Sequence, residues 1–347
     1  MKVLDLYQDP DPGVHGAAEW LLRQWKQQDK LKEIDEQWGQ QREQRQQRIK
    51  EELARDKDRA RPEWYVTGHG QTMVVVPGPV DFWMGSPSTE AGRYPRETLH
   101  RQRIGRTFAI AAKSVTVEQF RRYLMANAEI QKEFDAGGEA AMILQKYNPE
   151  RDCPISGVSW YMAAAYCNWL SEQEGLSEKE WCYLPNPDGK YGEGMKLAPA
   201  YLQRTGYRMP TEAEWEYACR SGATTSRYYG ESEELLPKYA WHQRNAAARS
   251  RPVGSLKPND LGLFDMHGNV WSWCQVRFKD YATGNGDTAI EDKDDALTIF
   301  RGERRVVRGG SFTYLAVTVR SANRGGDVPA YHHNSVGFRA ARTFTAE

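Results

Sequence analysis

The groups in this sequence best suited to chemistry are seven histidines, five cysteines and one run of hydroxyls, an aromatic ring and arginines. The run, RGGSFTYLAVTVRSANRGG, extends from Arg308 to Gly326. It reads as the wall of a site: a Gly-Gly-Ser entry, then Thr313, Tyr314, Arg320, Asn323 and Arg324. It holds no thiol. Ser311 follows two glycines but has neither the elbow pattern of a hydrolase nucleophile nor an evident base. The cysteines (Cys153, Cys167, Cys182, Cys219, Cys274) are odd in number and form no C-x-x-C pair. That argues against a disulfide scaffold and against structural zinc. Cys167 falls on a helical apolar stripe and Cys219 within AEWEYACR, so both read as core. His15 and Glu19 stand four apart, a spacing that lets two side chains on a helix share a metal; a packing or solvated histidine is the simpler reading. His332 and His333 are adjacent, so in extended chain they point to opposite sides and do not readily chelate one ion. Together with His267 they can still contribute to a site.

The 47 basic and 47 acidic residues cancel, which argues against a non-specific nucleic-acid binder. No apolar run approaches the roughly 20 residues that span a bilayer. The start, MKVLDLYQDPDPG, lacks the basic-then-apolar pattern of a secretory signal. A reduced, cytoplasmic protein is expected, with neither nucleic acid nor membrane as partner. Twelve tryptophans, 18 tyrosines and 30 glycines point to aromatic packing in a loop-rich fold with little regular secondary structure.

Two regions must position these groups. In residues 1–62, DPDPGVHGAAEWLLRQW places Val14, Ala17, Ala18, Leu21, Leu22 and Trp25 on one helical stripe. The following stretch, dense in Gln, Glu, Lys and Arg, reads as a solvated helix or helical linker. The stripe must be buried on the main domain or on a partner protein. From residue 63 to 347 the texture is that of an α+β domain. QTMVVVPGPVDFWMGS reads as strand, Pro-Gly turn, strand. FAIAAKSVTVEQFRRYL reads as strand then helix, with Thr116 and Gln119 as a capping box. VSWYMAAAYCNWLSEQEG is a helix capped by Ser159, with Trp160, Ala163, Ala164, Cys167 and Leu170 as its stripe and Gly175 as its stop. RMPTEAEWEYACRSG is a helix with Thr211 at the cap, Glu214 three residues on, and Gly222 as its stop. Short strands and long loops are expected from Tyr228 onward.

Seven blocks, in order, resemble the formylglycine-generating enzyme (sulfatase-modifying factor) family: MVVVPGPVDFWMGS, SVTVEQF, PISGVSWYMAAAYCNWLSEQEG, YRMPTEAEWEYACRSG, LGLFDMHGNVWSWC, RVVRGGSF and SVGFRAAR. They cover Trp64 to Arg342. The resemblance implies that family's variant of the C-type lectin fold, preceded here by a helical segment. Family enzymes oxidise a substrate cysteine with oxygen at a copper ion held by two cysteines just after the Gly-Gly-Ser segment; soft thiolates suit Cu(I). Ser311 and Trp271 match the family serine and tryptophan. Tyr314 falls where the first copper cysteine would stand, and no cysteine follows Cys274. Copper is therefore not expected, and the chain reads as a catalytically divergent member. The related sulfoxide synthases hold iron with histidines drawn largely from a four-helix domain, for which residues 1–62 are too short. The resemblance also implies a calcium site through Asp265, Gly268 and Val270. Ser272 replaces its glutamate, which weakens it, and turn-forming hydrogen bonds explain Asp265 and Asn269 equally well. A second family calcium site, beginning at Asn245-Ala246, is not expected beside Arg249 and Arg251.

Without copper chemistry, what the resemblance leaves is a cleft between variable-looking loops, FTYLAVTV and GGDVPAYHHNS. Its candidate contacts are Trp271, Ser311, Thr313, Tyr314, Arg320, Asn323, Tyr331, His332, His333 and Asn334, groups suited to an adaptable binding surface. RSANR reads equally as a buried hydrogen-bonding strut. The expected function is a non-catalytic module that binds a peptide or protein in this C-terminal cleft and a partner protein through its N-terminal helix, in a signalling, stress or defence assembly. The alternative is an oxygen-dependent metalloenzyme with a non-copper site.

Overall fold

The computed structural model describes residues 2–55, 60–135, 139–281, 288–293 and 297–345. Four helices open the chain: α1 (Val3–Tyr7), α2 (Pro12–Gln24), α3 (Gln28–Gln40) and α4 (Arg42–Arg55). Asp11 caps α2 by accepting from Val14 N at 3.0 Å, and Pro12 occupies the first turn. The buried face of α2 differs from the apolar stripe. It is made of His15, Gly16, Ala18, Glu19 and Leu22, while Trp25 is 54% exposed. The helix is rotated toward two polar residues because each finds partners. His15 donates from Nδ1 to the Tyr7 carbonyl at 2.6 Å and stacks on Trp64, with 3.7 Å between ring centroids. Glu19 accepts from Arg23 at 2.8 Å and from Lys113. A Cβ on Gly16 would lie 2.6 Å from the Cα of Gly262, so this approach needs glycine on both sides.

The expected stripe is thus only partly covered by the chain's own domain: Ala18 and Leu22 are buried, Val14 and Leu21 half-buried, and Ala17 and Trp25 exposed. The charged stretch after it forms α3 and α4, largely exposed but anchored to the domain at a few points. Leu31, Ile49 and Leu53 are buried. Arg45 donates to the Trp64 carbonyl at 2.5 Å and lies 3.5 Å over its indole, and Arg48 pairs with Glu63 at 2.6 Å. Apolar residues too sparse for a heptad suffice when long cationic side chains cover the remaining surface.

The domain then runs through β1 (Glu63–Val66), β2 (Thr72–Val76), β3 (Val80–Met84), β4 (His100–Ile104), β5 (Phe108–Ala111), α5 (Val117–Ala126), α6 (Ala128–Asp135), α7 (Glu139–Tyr147) and α8 (Trp160–Gln173). It continues with β6 (Tyr183–Leu184), β7 (Lys196–Leu197), β8 (Tyr207–Arg208) and α9 (Glu212–Arg220). The last strands are β9 (Trp271–Arg277), β10 (Ile290–Glu291), β11 (Arg305–Arg308), β12 (Arg324–Asp327), β13 (Val336–Phe338) and β14 (Ala341–Thr343). β2 and β3, read as neighbours across a Pro-Gly turn, join different sheets: β2 pairs with β5, and β3 with β4. The largest sheet has the order β1-β2-β5-β14-β8, so the final strand is locked between two earlier ones. A second sheet, β12-β11-β9-β13, carries the candidate site, with Val336 of β13 opposite Trp271 of β9.

The expected caps are in place: Thr116 and Gln119 on α5, Ser159 on α8, and Thr211 with Glu214 on α9. α8 is buried on nearly every side, which makes it the central post of the core rather than an amphipathic surface helix. Among the described residues no helix is long and apolar enough to cross a membrane.

Candidate functional site

The site is organised around residues 268–271, where the chain enters β9. Asn269 has φ of +57°, a left-handed conformation that asparagine tolerates better than most residues. From that turn it ties together loops from three parts of the chain. Its N–H donates to the Trp241 carbonyl at 2.7 Å and its carbonyl accepts from Phe312 N at 2.8 Å. Its side-chain amide accepts from Arg251 N at 3.0 Å and donates to the Arg251 carbonyl at 2.9 Å. Two residues on, Trp271 N donates to Ser335 O at 2.8 Å. The loops 241–251, 311–319 and 331–335 therefore meet at one strand end.

The Tyr314 ring meets Trp271 edge-on, with 5.1 Å between centroids and an angle of 87°. Its backbone is fixed from both sides: Tyr314 N donates to Ser311 O and Tyr314 O accepts from Gln243 N, each at 3.0 Å. Ser311 is fully buried and pairs with the Thr313 hydroxyl at 2.9 Å, while Thr313 itself is exposed. Across the strand end, His332 donates from Nδ1 to Gly157 O at 2.8 Å, and His333 accepts at Nδ1 from Ser335 N at 3.2 Å. The Asn334 carbonyl accepts from Ser156 Oγ at 2.7 Å, and Tyr331 lies edge-on to His333. The structure thus brings Trp271, Ser311, Thr313, Tyr314, Tyr331, His332, His333 and Asn334 to one end of the sheet. Tyr314, Leu315, Val317 and Tyr331 all reach solvent there.

Two candidates lie elsewhere. Arg320 is buried, with both terminal nitrogens on Glu97 at 2.8 Å, a further bond from one of them to Gly92 O at 2.7 Å, and Glu90 as a second acidic partner. Its donors are consumed, so it serves as a strut rather than a ligand contact. Asn323 is also buried and donates to the Thr318 carbonyl, closing the same loop on itself. Arg324 likewise makes a two-point pair with Glu212, at 2.7 Å in each arm. The partners come from an unforeseen source: Glu212, Glu214 and Glu216 of α9 hold Arg308, Arg324, Arg208, Arg106 and Arg220. Burial alone would raise the Glu214 carboxyl, yet Arg106 and Arg208 pull it down to about 2. Three glutamates in the short stretch TEAEWE, followed downstream by an arginine-rich stretch, were the available sequence signal.

The calcium candidates are differently engaged. Asp265 accepts from Gly254 N at 2.9 Å through one oxygen, and the other lies 3.4 Å from the Asn269 amide nitrogen. Asp265, Gly268 and Asn269 all have positive φ, so the turn is closed by local hydrogen bonds. At the second family site, Arg251 Nε donates to the Ala246 carbonyl at 3.0 Å, in the role a bound cation would fill. Among the described residues, no three His, Cys, Asp or Glu side chains gather where they could hold a metal ion. His267 is packed among Tyr228, Cys219 and Ser321, not beside His332 or His333. All five cysteines are buried. Burial pushes the Cys182 and Cys219 thiols up to about 12 and raises the other three, which leaves them poor thiolates.

Residues 60–344 match the family model of the sulfatase-modifying factor enzyme 1-like domain. The chain belongs to that family. It is 30% identical over 287 residues to the formylglycine-generating enzyme of Streptomyces coelicolor, covering 77% of this chain and 88% of that one. It is 26% identical over 277 residues to the serine/threonine-protein kinase pkn1 of Chlamydia pneumoniae, covering 73% of this chain and 37% of the kinase. Among solved structures, Treponema denticola variable protein 1 superposes with a TM-score of 0.62 at 26% identity, over 79% of this chain and 95% of that one. The fold is accordingly the α+β fold of the formylglycine-generating enzymes, with the α1–α4 layer added in front of the matched region.

Proposed function

We propose that this family member is a recognition module without the copper oxidase chemistry, binding a peptide or protein partner at the end of β9 in a signalling, stress or defence assembly. Tyr314 carries the reading. Its ring stands against Trp271 in the stretch where the family's copper thiolates are expected, and every thiol of the chain lies buried elsewhere. Oxygen chemistry at Cu(I) needs soft sulfur ligands; an aromatic ring offers contact area instead. The likeness to a protein named as variable, over nearly all of its length, supports recognition. The likeness to a serine/threonine-protein kinase over part of its length supports a signalling setting.

The test is direct. Purified protein, loaded with Cu(I) and supplied with oxygen and a cysteine-containing peptide, is assayed for aldehyde by hydrazide capture and mass spectrometry. No turnover is expected. Aldehyde above a copper-only control would sink the reading. A second reading, an oxygen-dependent metalloenzyme with a non-copper site, draws support from the likeness to a named enzyme across 88% of its length. Stoichiometric iron in protein purified without chelator, together with oxygen uptake, would establish it.

A further inference from the structure

The loops around Trp271 contain no carboxylate. In a chain whose acidic and basic residues balance, residues 240–259, 304–326 and 328–345 include not one Asp or Glu. These are the loops that Asn269 and Trp271 gather to one strand end. Among their buried arginines, Arg308, Arg320 and Arg324 pair with glutamates from α9 and from the 90–97 segment. Others stay at the surface. Arg244 and Arg249 are exposed, Arg251 is half-buried, and Lys146 is exposed in the last turn of the adjoining α7. Among the described residues, none of these four forms an ion pair with a carboxylate. Arg251 and Lys146 instead lie over the rings of Trp241 and Tyr147, at 5.5 and 5.0 Å.

The geometry joins these cations to the exposed aromatic surface. Gln243 N bonds to the Tyr314 carbonyl, and Ser250 N to the Tyr147 carbonyl, both at 3.0 Å. Between Arg244 and Arg249 the chain makes two consecutive left-handed alanines, Ala247 and Ala248, with φ of +54° and +57°. Alanine disfavours that conformation, and it persists only where the surroundings impose it. Here Asn245 supplies the hold, accepting from His242 N and donating to Ala240 O. The cations therefore stand on a fixed turn.

Resting on the recognition reading above, we propose that this face binds an acidic peptide segment. Its Asp and Glu carboxylates pair with Arg244, Arg249 and Lys146, and an apolar side chain lies against Tyr314, Leu315 and Tyr331. A guanidinium meets a carboxylate through two parallel hydrogen bonds. Cations without a carboxylate partner attract opposite charge and reject like charge. The aromatic rings supply the buried area that charge alone does not.

The test uses the full chain and fluorescein-labelled peptides of alternating Glu and Leu, with matched peptides carrying Gln or Lys in place of Glu, and a single-stranded oligonucleotide. Fluorescence anisotropy is expected to show the Glu peptide binding roughly tenfold more tightly than the Gln peptide, with no binding of the Lys peptide. Raising salt from about 50 to about 500 mM should weaken the Glu peptide several-fold. The double variant Arg244→Glu/Arg249→Glu should lose roughly tenfold for the Glu peptide at unchanged melting temperature, because neither side chain has a carboxylate partner among the described residues. Tyr314→Ala should weaken the Glu and Gln peptides alike. The proposal is overturned if the Glu peptide fails to bind, if Gln or Lys peptides bind as tightly, if the charge reversal changes nothing, or if the oligonucleotide binds more tightly. Loss of charge preference with Tyr314→Ala still weakening binding leaves the recognition reading intact. Aldehyde formation on a cysteine peptide removes that reading as well.

Discussion

The side-chain amide of Asn269 brackets the backbone of Arg251, accepting from its N–H at 3.0 Å and donating to its carbonyl at 2.9 Å. One buried amide thus fixes the turn that carries Arg249 and Arg251 to the strand that carries Trp271. Asn269→Ala removes both bonds, leaves two backbone groups unpaired and forces alanine into a left-handed φ. A loss of about 2–4 kcal/mol in urea unfolding is expected. Asn269→Gly relieves the conformational part alone and should fall between the two. Equal stability of Asn269→Ala and wild type would show that the bracket is not holding the turn.

Breaking the glutamates of α9 should cost more. Glu212 neutralises both Arg308 and Arg324, which are buried. Glu212→Gln leaves two guanidinium groups short of one countercharge, and a loss of about 3–5 kcal/mol is expected. Glu233→Gln, at an exposed carboxylate 3.9 Å from Arg227, is the control and should change stability by less than about 1 kcal/mol. Comparable urea midpoints for the two variants would contradict the strut role.

Acid should loosen the N-terminal layer through His15. Burial lowers its pKa to about 4 from an ordinary 6.5, so between those values the unfolded chain binds the proton that the folded chain refuses. Stability from this group is complete above about pH 6.5 and is lost as pH falls toward 4, amounting to about 3 kcal/mol at most. Asp35 on α3 is raised to about 6, first by burial, and acts with the opposite sign. The readout is therefore the difference between wild type and His15→Phe. The variant should flatten the fall in melting temperature between pH 6.5 and 4; an unchanged slope would remove His15 from the account.

Calcium should have little influence. Asp265 is already engaged by Gly254 N–H, and Arg251 Nε already donates to the Ala246 carbonyl. Melting temperatures in millimolar calcium and in EDTA are expected to agree within a degree or so. A rise of several degrees with calcium, abolished by Asp265→Asn, would show a bound ion.

Local signals in the sequence translated well. The caps at Thr116, Ser159 and Thr211 depend on side chain and backbone within one turn, so neighbouring residues suffice to read them. The face of α2 did not translate, because apolar periodicity is blind to a buried polar pair whose partners, Tyr7 and Lys113, lie elsewhere in the chain. Of the two readings open for RSANR, Arg320 takes that of the strut, with partners Glu90 and Glu97 far off in sequence, while Asn323 closes onto Thr318 within its own loop. The clustering of Trp271, Tyr314 and Tyr331 followed from block order. The hub that gathers them, Asn269, was read only as a turn former.

The concealment of every thiol has a practical corollary. Because Cys153, Cys167, Cys182, Cys219 and Cys274 are distributed from the first helical half of the domain to β9 and none reaches solvent, a colourless alkylating reagent added to the native protein has nothing to attack. Each label acquired over time then counts an opening event, and peptide mapping of the labels dates which part of the core came apart first.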